Sequence, residues 1–112
     1  MYSTELIKGT LQPIILKLLE DNSRMYGYEI TQKVKSMTMG KIEITEGALY
    51  PILHKLEAEG TLRTEQEYIG KRVRKYYSLT PEGKAVVVEK VNELSDFIES
   101  IHRIISSKPA TI

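Results

Sequence analysis

Val87, Val91, Leu94, Ile98, Ile101 and Ile105 follow one another at intervals of four, three, four, three and four residues. That spacing lines one side of a helix with apolar groups over nearly three heptads. Val88, Phe97 and Ile104 widen the stripe. In a chain of 112 residues the rest of the sequence is too short to cover so long a face, and the stripe predicts that two copies pair along it. Thr80-Pro81 marks the start of this helix. Threonine is a good helix cap, and proline at the first helical position loses no needed hydrogen bond. Pro109 and the residues after it predict a frayed tail over 109–112.

Ahead of that helix the hydrophobic period changes several times. Residues 6–19 place Ile7, Leu11, Ile14, Ile15, Leu18 and Leu19 on one helical face, although Pro13 inside it would cost about 3 kcal/mol. A second helix over residues 27–37 turns Ile30, Val34 and Met37 inward, and Gly40 ends it. Residues 41–44 (Lys-Ile-Glu-Ile) alternate like a short strand. Thr45 then caps a third helix, with Glu46 in its first turn, Leu49, Ile52, Leu53 and Leu56 inward, and Gly60 as its stop. Pro51 again breaks the local rule.

Two alternating stretches follow. Leu62, Thr64, Gln66 and Tyr68 share one side of the first. In the second, Val73, Lys75, Tyr77 and Leu79 lie opposite Arg72, Arg74 and Tyr76. A short loop with Gly70 joins them into a β-hairpin. The fold class expected is therefore mostly α with a small β-hairpin. Residues 1–80 would form a winged helix-turn-helix and residues 81–108 a long C-terminal dimerisation helix, together one compact unit.

Composition removes most other classes. With no cysteine there are no disulfides and no thiolate metal sites. Lys17, Glu20, Lys33 and Lys90 interrupt every candidate membrane span, and the N-terminus lacks the layout of a signal peptide, so a cytoplasmic protein without a membrane partner is expected. The seven glycines are scattered singly, which leaves no phosphate loop. No Ser-His-acid set or metal motif is readable, and two distant histidines, His54 and His102, make no zinc site. Neither catalysis nor a cofactor is expected.

The formal net charge is only +1, yet Lys71, Arg72, Arg74 and Lys75 place four cations in five residues at the hairpin. In a winged helix-turn-helix the second helix of the pair enters the major groove and the wing reaches the backbone or minor groove. The groove-facing candidates are Thr45, Gly47, Ala48, Tyr50, His54 and Lys55; the wing candidates are Gly70, Lys71, Arg72 and Arg74. Each has a plainer reading: a solvated charge run, a tyrosine packed at a helix edge, an exposed histidine, or a winged helix that binds protein instead of DNA. Tyr26 and Tyr28 read as structural, and Gly27 as a position that lets the second helix start close to its neighbour.

Tyr26-Gly27-Tyr28-Glu29-Ile30, then Glu46-Gly47-Ala48-Leu49-Tyr50-Pro51-Ile52-Leu53-His54-Lys55-Leu56-Glu57, then Arg74-Lys75-Tyr76-Tyr77-Ser78-Leu79-Thr80, resemble the signature of PadR transcriptional regulators. The likeness spans residues 6–106 and accounts for Pro51, because that family carries Leu-Tyr-Pro in its recognition helix. The length is that of the short group with one C-terminal helix. The resemblance implies a homodimer in which the last helix packs on the partner chain, including its first helix at Leu11 and Ile15. It also implies repression from a pseudo-palindromic operator in double-stranded DNA. Relief by an apolar small-molecule effector is implied as well, with a pocket near Leu94, Phe97 and Ile98. One departure stands out: the chain has no tryptophan, and Leu94 falls where the drug-stacking tryptophan of some short members aligns. Stacking of flat aromatic drugs is therefore not expected.

Overall fold

The computed structural model describes residues 2–109, so residues 110–112 of the expected tail lie outside the described residues. Five helices and three strands run in the order α1 (Thr4–Lys8), α2 (Leu11–Asp21), β1 (Met25–Tyr26), α3 (Gly27–Met37), α4 (Glu46–Ala58), β2 (Leu62–Ile69), β3 (Arg72–Leu79) and α5 (Pro81–Ile105). The winged helix-turn-helix and the long last helix are present. Local expectations are corrected at several places, and Met37, expected on the inner side of α3, is 65% exposed.

The segment at residues 6–19 is two helices, broken at Gly9 and Thr10. Pro13 consequently falls in the first turn of α2, where backbone N–H groups have no helical acceptor to lose. Residues 41–44 form no strand. They are an irregular connection that still turns Ile44 into the core and half-buries Ile42, so burial alternates without ladder hydrogen bonds. The additional strand is instead β1, two residues long, which pairs antiparallel with β3 through Met25–Tyr77 and Tyr26–Tyr76 and gives a sheet of order β1-β3-β2. Pro51 does sit within α4, and the helix continues through it. Pro51 and Gly47, whose carbonyl loses its donor, both lie on the exposed face, where water can serve that carbonyl.

Caps fix the helix boundaries. The Thr45 hydroxyl accepts a 3.2 Å hydrogen bond from the Ala48 N–H, and the Thr80 hydroxyl accepts one of 3.0 Å from the Gly83 N–H. At the other end of α4 the Gly60 N–H donates to the Glu57 carbonyl and the Thr61 N–H to the Leu56 carbonyl, a Schellman turn that needs the positive φ of 79° at Gly60. The hairpin closes in two residues, Gly70 and Lys71. Gly70 has φ 62° and Lys71 does not go positive, the pattern of a type II′ turn.

The core forms where α2, α3, α4 and the sheet converge. Ile15, Leu16, Ile30, Leu49, Leu53, Leu56, Leu62 and Tyr77 are essentially without solvent contact. Helix α5 packs along α2, but only its first turns are covered. Val87 is buried, Val91 and Leu94 are half-buried, and beyond them Ile98 is 57% and Ile105 77% exposed. Of the residues expected at a dimer contact, Val87 (1% exposed), Leu11 (3%) and Ile15 (0%) belong to the protomer's own core. The apolar face left uncovered begins further along α5 and includes Phe97, Ile98, Ile101, Ile104 and Ile105.

One junction ties these parts together. The Thr80 N–H donates to the Thr61 carbonyl at 3.1 Å, and the Thr80 hydroxyl reaches the Gly60 carbonyl at 2.6 Å. Gly83 comes so close that a Cβ there would overlap the Thr61 carbonyl oxygen. Both sides of that contact are backbone, so neither can step aside. Gly83→Ala should therefore destabilise the fold by about 1–3 kcal/mol, lowering Tm by several degrees in thermal denaturation. A Tm equal to that of the wild-type would show that the junction yields freely.

Candidate nucleic-acid interface

Burial of Leu49, Leu53 and Leu56 sets the rotation of α4 and leaves Gly47, Pro51, His54 and Lys55 outward. Thr45 and Gly47 are exposed at the N-terminal end of the helix and Ala48 is half-buried. Gly47, Tyr50 and His54 recur at helical spacing, and the Tyr50 and His54 rings lie 6.2 Å apart. Tyr50 is half-buried. A Cβ at Gly27 would stand 2.5 Å from the Tyr50 hydroxyl, so the bare Gly27 backbone is what admits this ring between α3 and α4. Tyr50 thus holds the two helices of the pair together whatever else it touches.

At the hairpin, Gly70, Lys71, Arg72 and Arg74 are all exposed, and among the described residues neither Lys71 nor Arg72 has a salt-bridge partner. Lys75 departs from the expected cluster of four. It is half-buried, with its ammonium 3.6 Å from the Glu57 carboxylate on α4 and 5.5 Å from the Tyr77 ring. The Thr64 hydroxyl donates to the same carboxylate at 2.9 Å. The period of the strand explains the split: Lys75 shares the inward face with Tyr77, while Arg72 and Arg74 share the outward one.

That outward face carries a network that sequence reasoning missed. Arg24 donates to Glu65 at 2.8 Å and also to Glu67, and its guanidinium stacks 3.9 Å above the Tyr76 ring. Tyr76 meets Tyr26 edge-on at 5.4 Å, and Arg74 lies 4.5 Å over Tyr26. The hydrogen bonds to Glu65 and Glu67 push the Arg24 guanidinium to still greater basicity, and the Tyr76 hydroxyl does the same for Arg74. The available signal was the spacing of Glu65 and Glu67, which places two acids on one strand face. Their partner, though, comes from a loop 41 and 43 residues earlier.

Of the expected pocket residues, Leu94 and Ile98 line a groove of about 300 Å³ between α5, α2 and α3, whereas Phe97 does not. Its opposite wall is Pro13, Ile14 and Leu18, not Leu11 or Ile15, which point into the core. Among the described residues no group of three or more His, Cys, Asp or Glu is placed to hold a metal ion, and no helix is long and apolar enough to cross a membrane.

The family model described as Transcriptional regulator PadR-like family matches residues 15–89. The transcriptional regulator Rv3488 of Mycobacterium tuberculosis is 33% identical over 87 residues, covering 78% of each chain. A solved transcriptional regulator from Clostridium thermocellum matches with TM-score 0.83 at 29% identity, over 92% of this chain and 100% of that one. A PadR family regulator from Eggerthella lenta matches with TM-score 0.78 at 29% identity, over 93% of this chain and 88% of its own.

Tyr77, at the seam between hairpin and α4, has a buried hydroxyl with no hydrogen-bond partner among the described residues. Burial raises its phenol above the ordinary value of 10.0. In the unfolded chain the phenol ionises first, so its contribution to stability is complete below about pH 10 and is lost as pH rises through the raised value. Tyr77→Phe should be neutral or slightly stabilising at pH 7, within about 1 kcal/mol, and should lose less stability than the wild-type between pH 9 and 11 by denaturant titration. A large loss at pH 7 would mean that the hydroxyl has a partner in solution.

Proposed function

This chain belongs to the PadR-like family of transcriptional regulators, and from that premise we propose that it binds a pseudo-palindromic operator in double-stranded DNA as a homodimer and represses transcription. The observation that carries this reading is the pairing of a capped helix with an exposed small and polar edge (Thr45, Gly47, His54, Lys55, with Ala48 half-buried behind it) and a slender turn with exposed cations (Lys71, Arg72, Arg74). Residues 45–55 enter the major groove, with Tyr50 at the edge of the contact, and the turn from Gly70 to Arg74 reaches phosphate. The protein is a regulator and not an enzyme, and its place of work is the cytoplasm.

Dimerisation follows from α5. Its C-terminal half leaves a run of large apolar side chains in water, including Phe97, Ile98, Ile101, Ile104 and Ile105. A second copy laid along it removes that cost. Residues 2–80 make the DNA-reading body and residues 81–108 the dimer arm. A ligand in the Leu94–Ile98 groove, or against Phe97, changes DNA affinity if it binds one spacing of the two recognition helices better than another.

With Lys55, Lys71, Arg72 and Arg74 each neutralising one phosphate, a dimer makes about eight such contacts, and affinity should fall roughly 10⁴-fold between 50 and 200 mM salt. Fluorescence anisotropy on duplex DNA from upstream of the chain's own gene measures this. In the Lys71→Ala/Arg72→Ala double variant all duplexes should bind more weakly and the salt slope should flatten to about one half, leaving the Lys55 and Arg74 contacts. An unchanged slope would rule out the wing, and absence of binding even at 50 mM would favour a protein partner.

A further inference from the structure

Glu67 lies directly across the hairpin from Arg74, on the same face. Opposite charges in that relation attract, and nothing in the strand pairing itself keeps them apart. Yet the Glu67 carboxylate is held by Arg24, and Arg74 instead lies 4.5 Å over the Tyr26 ring and beside the Tyr76 hydroxyl, exposed and without a carboxylate partner among the described residues. Arg24 is fixed for this by three contacts at once: Glu65, Glu67 and the face of Tyr76. Tyr76 in turn abuts Tyr26, the ring that receives Arg74.

We propose that Arg24 is a positioning residue for DNA binding, sequestering Glu67 so that Arg74 remains free to neutralise a phosphate. Glu65 and Glu67 would otherwise bring two unpaired carboxylates to the hairpin that approaches DNA, and the nearer cation for Glu67 would be Arg74. An Arg74 tied to Glu67 carries no net charge toward phosphate. Arg24 itself need touch no nucleotide. This inference rests on the DNA-binding reading above and goes beyond it, because it assigns Arg24 an effect transmitted through a carboxylate.

The test is a set of anisotropy titrations on one duplex, with circular dichroism as the check on folding. Arg24→Gln keeps part of the stem over Tyr76. It should lose roughly tenfold in affinity and flatten the salt slope by about 1.8, one phosphate per protomer. Adding Glu67→Gln should restore both affinity and slope, whereas adding Glu65→Gln, which faces Tyr76 and not Arg74, should not. Wild-type affinity in Arg24→Gln would overturn the proposal. So would failure of Glu67→Gln to restore binding, which would mean that Arg24 contacts DNA itself, and so would equal rescue by Glu65→Gln, which would mean bulk charge alone. Should Arg24→Gln not fold, Glu67→Gln alone decides. Affinity within twofold of wild-type agrees with a carboxylate already sequestered, and a several-fold gain contradicts it. A wild-type protein that fails to bind any duplex would remove the DNA reading itself, and this inference with it.

Discussion

The contact between Gly83 and the carbonyl of Thr61 is the point from which the other elements take their positions. It joins the end of α4, the start of β2, the end of β3 and the start of α5 within four residues of backbone, with the Thr80 hydroxyl bonded to both sides. Backbone meeting backbone leaves no rotamer to relax, so the approach of α5 to the end of α4 rests on close packing and hydrogen bonds between main chains and not on a deformable side chain. The element that reads DNA in our account and the element that pairs protomers are therefore adjacent parts of one rigid corner. In the homodimer we propose, a change in how two copies of α5 lie together would reach α4 through this corner.

A second constraint is electrostatic. A chain of net charge +1 has little long-range pull toward a polyanion, so any affinity for phosphate depends on which cations are already neutralised. Lys17, Arg24, Lys35, Lys75 and Arg103 all sit beside carboxylates, at the α2 end, the loop before β1, α3, the hairpin seam and the tip of α5, and Lys55 on α4 lies 4.0 Å from Glu59. Lys71 and Arg72 do not, and Arg74 is backed by a ring instead of an acid. Two cations without a carboxylate partner among the described residues therefore sit side by side at the exposed hairpin turn.

Much of this was legible in the residues. Thr45, Gly60 and Thr80-Pro81 act through local geometry that a sequence states directly, and each lies at the boundary it predicted. The hairpin register follows from strand alternation and the Gly70 turn. Features that depend on distant partners were not legible. Pro13 read as a helix-interior proline because nothing local announced the break at Gly9 and Thr10. β1 is two residues long and exists only because β3 lies beside it. Periodicity cannot say how far a protomer covers its own helix, and Val87, Leu11 and Ile15, expected against a neighbour, fill the core. Lys75 looked like Lys71 in a list of charges, and only the sheet separates them by face.

The central claim is that α4 and the hairpin turn meet DNA while the far half of α5 meets a second copy. Amide hydrogen exchange with and without duplex DNA at low salt separates those surfaces directly. The account predicts slowed exchange at the start of α4 and at the Gly70–Lys71 turn, with no added protection beyond Leu94 on α5. Protection confined to α5, with α4 and the turn unchanged, would contradict it.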